Sequence, residues 1–102
     1  KTEKKSGGRD LMRNAAKLKT MQTTATKYLK HGDYKSSLEL FDKVLGIYTD
    51  HYWNEYSRIG AALHNLGIVH RLNGNLDDAL DAIQEAVRVR KLALGEVNVK
   101  VG

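Results

Sequence analysis

Ala25-x-x-Tyr28-x-x-x-Gly32-x-Tyr34-x-x-Ser37-x-x-x-Phe41 and Gly67-x-x-His70-x-x-x-Gly74-x-Leu76-x-x-Ala79-x-x-x-Ile83 are one pattern written twice, 42 residues apart. Each position holds a residue of similar size and character in both copies. A fixed period of this length marks a repeat architecture, in which one supersecondary unit stacks on the next. Such a chain reads first as an interaction scaffold.

Outward from the repeats, the apolar spacing is helical. Leu11, Ala15, Leu18, Met21, Ala25, Tyr28 and Leu29 recur at three- and four-residue steps, the stripe of an amphipathic helix. Gly32 is placed to take a left-handed cap conformation and Asp33 to cap the next helix. Tyr34, Leu38, Phe41, Val44, Leu45 and Tyr48 form a second stripe, with a break over 50–54 and Asn54 as N-cap. Tyr56, Ile59, Leu63, Leu66 and His70 form a third. Asn73-Gly74-Asn75 repeats the earlier turn, and Leu76, Ala79, Leu80, Ile83, Ala86 and Val87 give the fourth, with Gly95 as its stop. Helices are predicted near 10–31, 34–51, 55–73 and 76–94. The turns inside each pair are very short, which forces antiparallel neighbours. Ala25, Ser37, Gly67 and Ala79 are small where two helices must approach. Gly67 lies inside a helix, where glycine costs about 0.8–1.0 kcal/mol relative to alanine, and close packing is the reason it requires.

These residues resemble the tetratricopeptide repeat, whose signature spaces a large residue, Leu-Gly, Tyr, Gly, Tyr, Ala, Phe and Ala at fixed offsets. The second copy carries it through Leu63, Leu66, Gly67, His70, Gly74, Leu76, Ala79, Ile83 and Ala86. The first carries it more loosely through Met21, Ala25, Tyr28, Gly32, Tyr34, Ser37, Phe41 and Val44. The period of 42 rather than about 34, with the Leu94-Gly95 ending, looks like the kinesin-light-chain subtype. The subtype's His-Pro after Leu-Gly is replaced here by Asn98-Val99. The resemblance implies an all-α fold of two antiparallel helix-turn-helix repeats, a fragment of an α-solenoid. Its divisions are a flexible basic arm or linker over 1–9, a first repeat over 10–53, a second over 54–95 and the start of a missing third over 96–102. The apolar face of the fourth helix then needs a cover, either self-association or a neighbouring subunit.

The resemblance also implies a function: binding a peptide or protein segment in a concave groove lined by the first helix of each pair. By family position the groove receives Lys19, Gln22, Thr23, Thr26 and Lys30 from the first repeat. From the second it receives Ala61, His64, Asn65, Ile68 and Arg71. Asn65 can bond both edges of a peptide backbone, while Lys30 and Arg71 suit an acidic partner.

Composition supports some classes and excludes others. The chain has 102 residues and a net charge of +5. Residues 1–30 hold nine Lys and Arg against Glu3 and Asp10, and the remainder is slightly acidic. That asymmetry keeps open binding of nucleic acid or an anionic surface through the first 30 residues, although no aromatic residue before Tyr28 could stack a base. A purely structural subunit is the other alternative. Cysteine and proline are absent, so no disulfide or thiolate site exists, and an intracellular, cytoplasmic setting is expected. There is no apolar run of about 18 residues to span a bilayer. His64 and His70 are six apart, on different helix faces, so no metal ligand pair forms. Phosphate loops, nucleophile elbows and HExxH are missing. The expectation is therefore no enzyme, no cofactor and no metal. Trp53 with Tyr48, Tyr52 and Tyr56 is expected to cluster at the joint between repeats.

Overall fold

The computed structural model describes the backbone of residues 2–101 and the side chains of residues 14–95. Four helices follow in order: α1 Thr2–Lys30, α2 Tyr34–His51, α3 Tyr56–Leu72 and α4 Leu76–Val101. No strand occurs among the described residues. α2 packs against both α1 and α3, and α3 packs against α4. The architecture is the expected all-α pair of helical hairpins.

Within each hairpin the turn is built by the same atoms. Gly32 and Gly74 have φ of 80° and 84°, a backbone that only glycine adopts cheaply. The Asp33 amide donates to the Tyr28 carbonyl at 2.9 Å and the Asn75 amide to the His70 carbonyl at 2.8 Å. These close the helix ends by satisfying carbonyls that lack an intrahelical partner. Asp33 then caps α2, its carboxylate accepting from the Ser36 amide at 3.2 Å.

Three boundaries differ from the expectation. α1 begins at Thr2, not near Asp10. Helical backbone therefore occupies the stretch assigned to an arm, whose side chains lie outside the described residues. α4 continues through Gly95 to Val101. Gly95 lacks the positive φ of a helix stop, and an isolated glycine weakens a helix without ending it. The side chains of 96–102, where a further repeat was expected to start, also lie outside the described residues. The N-cap of α3 is Glu55, without a side-chain cap bond, rather than Asn54.

Among the described residues, burial follows the predicted stripes of α1–α3 except at two positions of α1, while Leu76, Leu80 and Val87 of the α4 stripe are exposed. Leu18, Val44, Tyr48, Ile59, Leu63 and Val89 join one core cluster that touches all four helices. Ala25, Phe41, Leu66 and Val69 form a second, nearer the hairpin turns. Ala15 and Tyr28 belong to the stripe by spacing yet are exposed. Small residues stand where the helices meet. Ser37 and Ala25 are fully buried, and the Ser37 hydroxyl donates to the Ala25 carbonyl at 2.8 Å. A methyl group added at Gly67 would meet Ile83 Cδ1 at 2.5 Å and Cγ1 at 2.7 Å, so close helix contact does explain this glycine.

Candidate functional site

The ten residues expected in a groove are spread along α1 and α3. On α1, Lys19, Thr23, Thr26 and Lys30 are exposed and Gln22 is half-buried. The Thr26 hydroxyl donates to the Gln22 carbonyl one turn back at 2.9 Å, so its donor is spent within its own helix. On α3, Ala61 and Arg71 are exposed, while His64, Asn65 and Ile68 are half-buried. Asn65 therefore keeps access to solvent and is not locked between helices.

His64, Ile68 and Arg71 come together in one cleft of about 470 Å³. Its other wall is α4, through Leu76, Ala79, Leu80 and Ile83, with Gly67 at its floor. The α1 residues, Ala61 and Asn65 do not line this cleft. A helix face turns by about 100° per residue. Positions 64, 68 and 71 therefore share a face that 65 leaves, while 61 is near that face but one turn earlier along the helix than 64. The α4 wall was missed as part of a site because the family pattern draws attention to first helices only. The signal was nonetheless present, since Leu76 and Leu80 are apolar with no stripe left to cover them. Their exposures are 66% and 55%.

A second cleft, of about 350 Å³, lies between the α2–α3 joint and α4. Leu45, Tyr56, Ile59 and Leu63 form one side and Val89 and Leu92 the other, with Trp53 among its lining residues. The expected aromatic cluster is therefore divided. Tyr48 and Tyr52 are buried edge to face with ring centres 6.3 Å apart. The Tyr52 hydroxyl accepts from Asn14 Nδ2 at 3.2 Å. Trp53 instead stands 66% exposed, because it follows the end of α2 and no helix packs over it. Beside this cleft, Arg88 Nε donates to Glu85 Oε1 at 3.0 Å. That hydrogen bond, aided by the positive charge of the guanidinium, holds the Glu85 carboxyl below the usual carboxylate range.

The histidines occupy unrelated places. His31 Nδ1 lies 2.7 Å from the Lys27 carbonyl at the end of α1. His70 is half-buried, and its Nδ1 has no hydrogen-bond partner among the described residues. Among the described residues, no group of three His, Asp or Glu converges as a metal site requires. No helix there is long and apolar enough to cross a membrane.

Residues 59–98 match the family model of the tetratricopeptide repeat. The match starts in α3 and runs into α4, the copy in which the signature is more complete. The match supports a repeat of tetratricopeptide type in this part of the chain. Repeats of this type generally mediate protein–protein interaction and are typically non-enzymatic scaffolds. Searches of curated proteins and of solved structures found no match to the chain.

Proposed function

We propose that this chain is a protein-interaction scaffold that holds a peptide or protein segment of a partner along α1 and α3. One observation carries the reading. Lys19, Gln22, Thr23, Thr26, Lys30, Ala61, His64, Asn65, Ile68 and Arg71 all keep solvent access, although both helices sink their other faces into the core. Asn65 then bonds the partner's backbone, and Lys30 and Arg71 meet acidic groups. The repeats divide as 10–53 and 54–95 and follow the kinesin-light-chain-like subtype, a reading supported by the period of 42 and by Leu66-Gly67 and Leu94-Gly95. An intracellular setting suits this work. The exposed face of α4 is covered in the assembled state, by self-association or by a neighbouring subunit.

The test begins with peptides selected from a random display library on the immobilised chain. Their affinities are then measured on the wild type, on Asn65→Ala and on a chain lacking residues 1–9, each at two salt concentrations. One lost hydrogen bond and its stranded partner are worth about 1 kcal/mol, so Asn65→Ala should weaken binding about fivefold. Deleting residues 1–9 should change little. The reverse pattern, with a steep salt dependence, would assign binding to the basic first 30 residues and an anionic partner. Failure to select any peptide would favour a purely structural subunit.

A further inference from the structure

The cleft between α2, α3 and α4 that Trp53 borders has a counterpart one period earlier. Lys17, Met21, Lys43, Gly46, Ile47 and Asp50 line an open cleft of about 490 Å³. Forty-two residues on, Ile59, Leu63, Glu85, Arg88, Val89 and Leu92 take those places, in the cleft of about 350 Å³. α3 and α4 follow α2 in the chain, yet Lys43 and Asp50 are exposed and Gly46 and Ile47 half-buried. A following hairpin therefore does not cover this outer face of the second helix before it. A further hairpin after α4 at the same period would likewise leave Glu85, Arg88 and Leu92 open. A helix turns by about 100° per residue, so Tyr56, Ile59 and Leu63 lie on the side of α3 away from Asn65.

The two clefts differ in chemistry. Ile59 stands where the first has Lys17, and Leu92 where it has Asp50. Leu92 is 43% and Trp53 66% exposed, above a floor of buried Ile59, Leu63 and Val89. Exposed apolar side chains gathered round one cleft mark a contact surface. Its volume is at the small end of the range for ligand pockets, about 300–1,000 Å³, which leaves room for one large side chain rather than a helix. Among the described residues, the charged groups lining it are Glu85 and Arg88, and they are bonded to each other. A charged anchor would lose its water against a rim whose charges already cancel, so the anchor that fits is neutral. Glu85 occupies Nε and Nη2 of Arg88, which leaves Nη1 to donate to an acceptor beside the cleft. A peptide supplies both needs, an apolar side chain and a carbonyl next to it.

We propose that this outer cleft is a second binding site, which takes one neutral large side chain, phenylalanine or leucine, from an extended segment of a partner protein. Trp53 and Tyr56 flank that side chain, Leu92 closes the far side, and Arg88 Nη1 donates to a backbone carbonyl of the segment. The site goes beyond the groove reading and shares no residue with it.

The probes are N-acetyl-phenylalaninamide, N-acetyl-leucinamide and N-acetyl-lysinamide, titrated into the intact chain and followed by methyl NMR. The first two should give saturable shifts at Leu45, Val89 and Leu92 and none at Ile68 of the groove, and the lysine probe should give none. Trp53 is the sole tryptophan, so the same titrations should move its fluorescence to the blue. Leu92→Asp should weaken binding about tenfold, the scale of one buried leucine. Trp53→Ala should weaken the phenylalanine probe about threefold, the scale of an aromatic pair. Both residues are exposed, so both variants fold, which circular dichroism confirms. Arg88→Gln should weaken the phenylalanine probe about fivefold and leave benzyl alcohol, a ring without amides, unchanged. The proposal is overturned if neither apolar probe binds, if the shifts centre on Ile68 or Leu80, if the lysine probe binds as well, or if Leu92→Asp and Trp53→Ala bind as the wild type does. Benzyl alcohol binding as tightly as the phenylalanine probe, with no effect of Arg88→Gln, would overturn it in favour of a free aromatic molecule. A micromolar dimer in sedimentation that Trp53→Ala dissolves would overturn it in favour of a second copy.

Discussion

The two hairpins share their turns, their small seam residues and their period, yet differ in what covers them. Phe41 is 2% exposed beneath α3, while its counterpart Ile83 is half-buried and borders an open cleft. Tyr34 is half-buried; its counterpart Leu76 is exposed. The sequence pattern is therefore a statement about local geometry, and burial is decided by whichever element arrives next. Truncating buried aromatic side chains costs about 3–5 kcal/mol, a large share of the 5–15 kcal/mol that holds a domain together. Phe41→Ala should accordingly lower the urea midpoint far more than Ile83→Ala. Equal losses would mean that the second hairpin is as tightly covered as the first, and would break the comparison.

Glycines extend the contrast within one helix. At Gly67 an added Cβ meets Ile83, which itself borders the cleft, whereas at Gly60 it meets Arg90 Cγ at 2.9 Å. Arg90 is exposed, but Cγ lies near its backbone, so the side chain must rotate about its first bond to make room. Gly67→Leu should cost roughly 1–3 kcal/mol through overpacking. Gly60→Ala should cost the least of the three, because a gain of about 0.8–1.0 kcal/mol of helix propensity offsets the displacement of Arg90. Gly74→Ala falls between, since a left-handed backbone costs an L-residue about 1–2 kcal/mol with no clash to add. Thermal or urea midpoints rank the three. Pairing Gly67→Ala with Ile83→Ala should recover part of the single-mutant loss, and strict additivity would argue that Ile83 is not what confines Gly67.

The seam offers a smaller test. Ser37 ties the first hairpin with a buried bond to the Ala25 carbonyl, and Ala79 stands in its place in the second. Ser37→Ala should cost about 1 kcal/mol for the stranded acceptor. Ala79→Ser should change stability by less, because the hydroxyl can reach the Gly67 carbonyl while helix propensity falls slightly. A larger loss for Ala79→Ser would show that the two seams are spaced differently.

How much of this was legible follows from the range of each interaction. Gly32, Asp33 and Gly74 could be read because a helix stop and a cap are settled within a few residues. Gly67 could be read because a glycine inside a helix needs a reason, though the sequence did not say that Ile83 was its neighbour. The start of α1 and the end of α4 were misplaced because composition and one glycine bias a helix without deciding its length. Trp53 was misread because aromatic proximity in sequence says nothing about which ring the packed helices will cover. The ten groove residues are exposed or half-buried along α1 and α3. Their division was not foreseen, since whether Arg71 faces α1 or α4 depends on helix packing rather than on the repeat signature.

The smallest effect lies on the surface. Glu85 and Arg88 form an i,i+3 pair on α4, where the first hairpin has Lys43 and Gly46. The pair is thus peculiar to the second hairpin. The Arg88 hydrogen bond, the largest cause, pulls the Glu85 carboxyl below its ordinary range. A depressed carboxylate contributes stability that is present at neutral pH, above its unfolded-state value, and is lost as pH falls through its folded-state value. Solvent screens both groups, so the contribution to the thermal midpoint should be small. An NMR titration of the Glu85 side chain is the sensitive readout. It should titrate below the ordinary glutamate range, and Arg88→Gln should return it toward that range. A Glu85 that titrates in the ordinary glutamate range in the wild type would show that the pair does not persist in solution. The rim of the α2–α4 cleft would then be as unconstrained as the Lys43 face of the first hairpin.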